Sequence, residues 1–204
     1  MISGRFFGEV FYTEIYKPVR ELGDNLTVID LGATTGEFSL WVYPQANRIY
    51  AIEADKEAYD HLFENIKEFP KIIPFNLAIA GEGGKMVSVF GSGIGSKTII
   101  DWNGKGSSEQ TVPALTLYAF LRNHAIEKVD CLKIDVESAE KQIYEAEDFP
   151  EAAERVKYII GEPHNDYEAI KTALENNRYK VETYPYGYIA MHRTGGYSHE
   201  KRVC

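Results

Sequence analysis

Positive charge is in short supply in this chain. Its 22 lysines and arginines face 31 acids, a formal net charge of −9. Phosphate backbones are bound by basic faces, so the balance argues against a nucleic-acid partner. Cysteine is scarcer still, with two. Cys131 lies inside an apolar run and reads as a buried thiol, and Cys204 is the last residue of the sequence. No disulfide framework follows, and a reducing compartment fits. No apolar run approaches the roughly 18 residues that would span a bilayer. Met1 to Phe7 is not followed by a secretory apolar core. The expectation is a soluble cytoplasmic protein with no membrane partner. Repeats and low-complexity linkers are also missing. At 204 residues the chain suits one domain, residues 1–204.

What is present is alternation. Strand-like apolar runs at Leu26–Asp30, Arg48–Glu53, Ile72–Ile79, Val129–Ile134 and Val156–Ile160 are interleaved with helical spacing. The helical segments are Glu37–Tyr43, a stretch opened by Asp55, Leu115–Ile126, Ala139–Ala146, and Asp166–Asn176 with Asp166 as its cap. Pro74 is expected to break the third strand. Gly81–Gly84 reads as a hairpin turn into Met86–Phe90, and Ile99-Ile100 as a short strand. Tyr179–Tyr184 and Tyr188–His192 read as a closing hairpin, with its tyrosines divided between core and pocket. The predicted fold class is α/β, a doubly wound, mostly parallel sheet ending in an antiparallel hairpin. Residues 1–22 are expected to form an aromatic helical cap on the core of 23–204, with core packing favoured over substrate contact.

The first strand ends in Asp30, and a glycine-spaced turn follows: Gly32-Ala33-Thr34-Thr35-Gly36. The second strand ends in Glu53, 21 positions after Gly32. Such a loop lets backbone approach a nucleotide-like ligand, and an acid at about this distance accepts ribose hydroxyls. A nicotinamide fingerprint would place glycine where Thr34 stands. An acid at position 30 points instead to S-adenosylmethionine, whose ammonium wants a carboxylate nearby, directly or through water. An NAD-dependent oxidoreductase and a non-catalytic S-adenosylmethionine-binding module stay open. Gly91–Thr98 is a near miss to a phosphate-binding loop. Ser96 replaces the glycine before Lys97, and a strand-like run follows in place of a helix. It reads as a loop over the ligand, with Ser96, Lys97 and Trp102 as contacts.

Four segments carry a resemblance: Ile29-Asp30-Leu31-Gly32-Ala33-Thr34-Thr35-Gly36-Glu37-Phe38-Ser39, Ile52-Glu53-Ala54-Asp55, Leu132-Lys133-Ile134-Asp135-Val136-Glu137-Ser138-Ala139-Glu140, and Gly161-Glu162-Pro163-His164. Over roughly residues 26 to 165 the chain resembles the FkbM family of S-adenosylmethionine-dependent methyltransferases. The resemblance implies a Rossmann-like methyltransferase fold. It also implies a donor site at Asp30, Gly32, Ala33, Thr34, Gly36, Glu53 and Ala54, with Ala78 beside the adenine by fold position. The chain departs from the family at Thr34, where Asn is usual, and at Ser138, where Gly is usual. Thr34 is a candidate helix cap.

Asp135, Glu137, Glu162 and His164 follow two strand ends, where open parallel sheets bind ligands. Methyl transfer to a hydroxyl of a small molecule, sugar or lipid needs a base. His164 is the leading candidate, because an unperturbed imidazole titrates near working pH. The other three complete the catalytic set. Asp135 and Glu137 have a plainer alternative as caps of the next helix. Lys133 is read as neutralising a neighbouring acid, and Glu140 as a surface or packing residue. Asp135, Glu162 and His164 are also a donor set for a divalent cation. His61, His124, His192 and His199 have no ligand spacing. The oligomeric state is not readable.

Overall fold

The computed structural model describes residues 15–89, 110–137, 139–164, 166–185 and 187–193. Its helices are α1 (Lys17–Arg20), α2 (Glu37–Val42), α3 (Lys56–Ile66), α4 (Leu117–Asn123), α5 (Glu140–Tyr144), α6 (Phe149–Ala153) and α7 (Tyr167–Asn176). Its strands are β1 (Leu26–Leu31), β2 (Ala46–Glu53), β3 (Ile72–Asn76), β4 (Ala78–Ile79), β5 (Met86–Val89), β6 (Gln110–Leu115), β7 (Cys131–Ile134), β8 (Tyr158–Gly161), β9 (Tyr179–Tyr184) and β10 (Gly187–His192). Among the described residues no helix is long and apolar enough to cross a membrane.

The central strands are largely apolar because both faces of the sheet are covered, with Asp30 and Lys133 as the charged exceptions. Ile29 and Leu31 of β1, with Ile52, Leu132, Ile134 and Ile159, enter one core. Val28, with Ile49, Ala51, Cys131 and Ile160, enters the other. Side chains alternate with period two, so each strand serves both cores. The seven-stranded sheet runs β3-β2-β1-β7-β8-β10-β9. β1, β2, β3, β7 and β8 are parallel, and β10 runs antiparallel to both β8 and β9. The doubly wound, mostly parallel sheet with a terminal hairpin is thus present. Asp55 caps α3 by accepting the amide of Ala58 at 2.8 Å, and the Asp166 side chain accepts the amide of Ala169. Cys131 is a buried free thiol.

Several boundaries differ from expectation. Pro74 does not break β3, which is an edge strand and tolerates a residue that cannot donate. The interruption falls at Leu77, between β3 and β4. Gly81–Gly84 does not join a simple hairpin. β4 and β5 do not pair with each other, and both pair with β6, which lies between them in a separate three-stranded sheet. β6 was masked to pattern reading by Pro113, which faces out on a strand whose Val112 and Ala114 point in. α4 is shorter than predicted because Leu115 belongs to β6 and Thr116 caps the helix. α6 was not anticipated. Of the predicted cap, residues 15–22 are described and contain α1. Ile99-Ile100 and Gly91–Thr98, with Ser96, Lys97 and Trp102, lie outside the described residues, as do Ser138, Tyr186, His199 and Cys204.

Candidate functional site

The first half of the site begins at the turn after β1. Gly32 and Gly36 have φ of 73° and 98°, and Thr34 has φ of 50°. Glycine is forced at position 32, because a Cβ there would lie 1.8 Å from the Asp135 carbonyl oxygen. The turn is held from both sides. The amides of Gly32 and Ala33 donate to the Ile52 carbonyl, each at 3.0 Å. The Glu53 carboxylate accepts the amide of Thr34 on one oxygen and of Asp55 on the other, both at 2.8 Å. Burial pushes the Glu53 pKa up to about 7, against the downward pull of those two amides. Asn76 donates to the carbonyls of Glu53 and Ala54. Ala78 is buried in the core of the small sheet, with Ala54 packed against it.

Asp30 sits behind the turn rather than at its mouth. It is fully buried, accepts the Ser39 hydroxyl at 2.7 Å and faces Lys133 Nζ at 3.2 Å. The pairing follows from register, since Asp30 and Lys133 are partners across β1 and β7. Lys133 neutralises Asp30, as expected, and approaches Asp135 at 3.7 Å. It also donates to the Gly32 carbonyl at 2.7 Å. Burial opposes its charge, but the two acids outweigh that and hold its pKa above the usual lysine range. Thr34 does not cap α2. Its hydroxyl donates weakly to the Gly32 carbonyl, and the N-cap is Gly36, with no side-chain bond.

The second half gathers at the ends of β7 and β8. His164 Nε2 lies 3.5 Å from Asp135 Oδ1 and 3.7 Å from Glu137 Oε2, and Nδ1 lies 2.9 Å from Glu140 Oε1. The Glu140 hydrogen bond is the main cause that raises the His164 pKa to about 9, with burial opposing it. Glu162 is shifted upward, first by burial and then by Asp135. One donor atom from each of Asp135, Glu162 and His164 falls within 4.8 Å of the others, a spacing that a cation could bridge. Asp135 and Glu137 do not cap α5, whose N-cap is Ala139 without a side-chain bond.

Beside this cluster opens a cleft of about 700 Å³. Asp135 and Glu162 line it together with the rings of Tyr16, Tyr167 and Tyr184. Tyr179 and Tyr188 are fully buried, so the hairpin tyrosines do divide between core and pocket. Beneath the cluster, the hydroxyls of Tyr144 and Tyr188 lie 2.6 Å apart. Of the two readings of Glu140, surface or packing residue, the surface one fails: it is 1% exposed, and its carboxylate is hydrogen-bonded to His164 and to the Val136 amide. The signal for it was its place as the third acid after β7. Tyr16 had none beyond its position in the aromatic segment.

The sequence profile described as Methyltransferase FkbM domain matches residues 30–193. A comparison with curated protein sequences returns no match. Among solved structures, the fold is similar to methyltransferase FkbM from Methylobacillus flagellatus KT, at a TM-score of 0.54 and 11% identity. That alignment covers 83% of this chain and 44% of the other, so the chain spans under half of that protein. The fold is also similar to the fibrillarin pre-rRNA processing protein of Methanococcus jannaschii, at 0.50 and 17% identity, covering 84% of this chain and 68% of that one.

Proposed function

Because the chain belongs to the FkbM methyltransferase domain family, we propose that it moves the methyl group of S-adenosylmethionine to a hydroxyl oxygen of a small-molecule acceptor. The observation that carries the reading is the meeting of two halves at one place. The glycine turn closed by Glu53 abuts Asp135 through Gly32, and Asp135 lines the cleft. A donor on the turn and an acceptor in the cleft would share that boundary.

On the donor side, Glu53 accepts ribose hydroxyls while its amide bonds hold it in place. Gly32, Ala33, Thr34 and Gly36 supply the close backbone, and Ala54 and Ala78 flank the adenine. Asp30 acts through Lys133, which it neutralises and which grips the Gly32 carbonyl. On the acceptor side, the sulfonium already activates the methyl carbon, so the protein's work is alignment and removal of one proton. An imidazole with a pKa near 9 is charged at neutral pH, which moves the base role from His164 to Glu162. Glu162 lines the cleft, and its raised pKa suits a proton acceptor. His164, with Asp135 and Glu137, orders the charge around it.

Calorimetric titration with S-adenosylmethionine and with NAD tests the donor. Binding of NAD alone overturns the reading in favour of an oxidoreductase. Donor binding without S-adenosylhomocysteine formation, across a pool of hydroxyl acceptors, leaves a binding module.

A divalent cation is the second reading, favoured by the spacing of Asp135, Glu162 and His164. Glu140 behind the imidazole is also the partner that metal-bound histidines usually have. Those three residues would hold the ion, which would orient the acceptor hydroxyl and lower its pKa. Turnover that survives exhaustive chelation removes this reading.

A further inference from the structure

His164 is held by one short contact and two long ones. Nδ1 meets Glu140 at 2.9 Å, whereas Nε2 stays 3.5 Å from Asp135 and 3.7 Å from Glu137. Glu140 is the buried member of this set, at 1% exposure, against 30% for Asp135 and 38% for Glu137. The same Glu140 oxygen accepts the Val136 amide at 3.2 Å, which ties the carboxylate to the turn between β7 and α5. A side chain fixed in this way cannot follow the imidazole. The imidazole must follow it.

We infer that Glu140 is the positioning residue of the acceptor side: it anchors His164 through Nδ1 and so keeps Nε2 from closing on Asp135. This rests on the methyl-transfer reading above. Asp135 is shared between His164 and Lys133, which lies 3.7 Å away on its other side. Released from Glu140, the imidazole would close the 3.5 Å gap and draw the Asp135 carboxylate from Lys133. Lys133 keeps its other partners, Asp30 and the Gly32 carbonyl, so the donor turn is not disturbed. Glu140 thus keeps Asp135 available to the cleft.

The test compares Glu140→Gln, nearly isosteric, with Glu140→Ala. Four quantities are read: kcat, the Kd for S-adenosylmethionine, the midpoint of thermal unfolding, and the proton resonance of His164 Nδ1. The wild type should show a downfield, exchange-protected Nδ1 proton. Both variants should lose it and keep donor affinity within about twofold. Their kcat should fall about 10–100-fold, the usual cost of removing a carboxylate that orients a functional histidine. Glu140→Gln should retain the wild-type unfolding midpoint. A kcat within twofold of wild type in both variants overturns the inference. So does a parallel fall of kcat, donor affinity and unfolding midpoint in Glu140→Gln, which would mark a merely structural group. If the wild type transfers no methyl, the functional reading fails instead. The resonance then decides, and a wild-type spectrum without the downfield proton overturns the inference.

Discussion

The carboxylate of Glu53 accepts the backbone amide of Thr34 at 2.8 Å across 19 residues of sequence. One side chain at the end of β2 therefore closes the turn at the end of β1. It reaches the Asp55 amide as well, so it also ties down the start of α3. Substituting Glu53→Ala should weaken S-adenosylmethionine binding by about 1.5–3 kcal/mol, the scale of hydrogen bonds to a charged group. Calorimetry measures it directly, and unchanged affinity would remove Glu53 from the ribose role.

The burial of Glu53 has a pH signature. Its folded pKa is about 7, against 4.5 for the ordinary group. The folded protein holds a proton that the unfolded chain releases, so this group's contribution to stability is full below about 4.5. The contribution declines as pH rises and is lost through about 7. Donor binding should run the other way, strengthening through the same window as the carboxylate ionises and accepts ribose hydroxyls. Denaturant unfolding from pH 4 to 8 should show the decline in wild type and a flatter profile in Glu53→Gln.

Lys133 and Asp30 form a buried pair inside the central sheet. Removing one partner strands the other charge. Lys133→Met should cost roughly 3–5 kcal/mol of stability, as broken buried pairs do. The double substitution Asp30→Asn with Lys133→Met should recover much of that loss. Urea midpoints of the three variants check the cycle. A single substitution no worse than the double would contradict the pairing.

Gly32→Ala should be among the most harmful small changes in the chain. The added methyl would overlap the Asp135 carbonyl, at 1.8 Å, on a backbone with φ of 73°. Relief requires β1 and β7 to part at the ligand end. A stability loss on the order of 1–3 kcal/mol is expected from backbone strain alone, together with loss of donor binding. Wild-type-like unfolding and affinity would show that the turn yields more easily than its hydrogen bonds imply.

Legibility in the sequence followed the range of the forces involved. The strands of the large sheet, the glycine turn and the acid at its second strand end are patterns of a few adjacent residues. Short continuous apolar runs and the glycine spacing made them visible. β6 escaped because Pro113 cannot donate to a ladder and so argues locally against a strand, yet it pairs between β4 and β5, whose partnership with it depends on distant chain. Thr34 and the pair Asp135 and Glu137 were readable as helix caps by local rules, and the structure assigns them other geometry. Local rules supply candidates, while the surrounding turns decide which donors remain unpaired.

The sequence by itself determined the alternation of strands and helices, the strand ends at which Asp135, Glu162 and His164 gather, and the chemical types assembled there. Only the tertiary structure decided that Asp30 faces inward to Lys133, that Glu140 is buried behind His164, and that this contact pushes the imidazole's pKa upward. The reason is electrostatic. A carboxylate's or an imidazole's state depends on burial and on charges a few ångströms away, and those neighbours come from segments that meet only when the sheet closes.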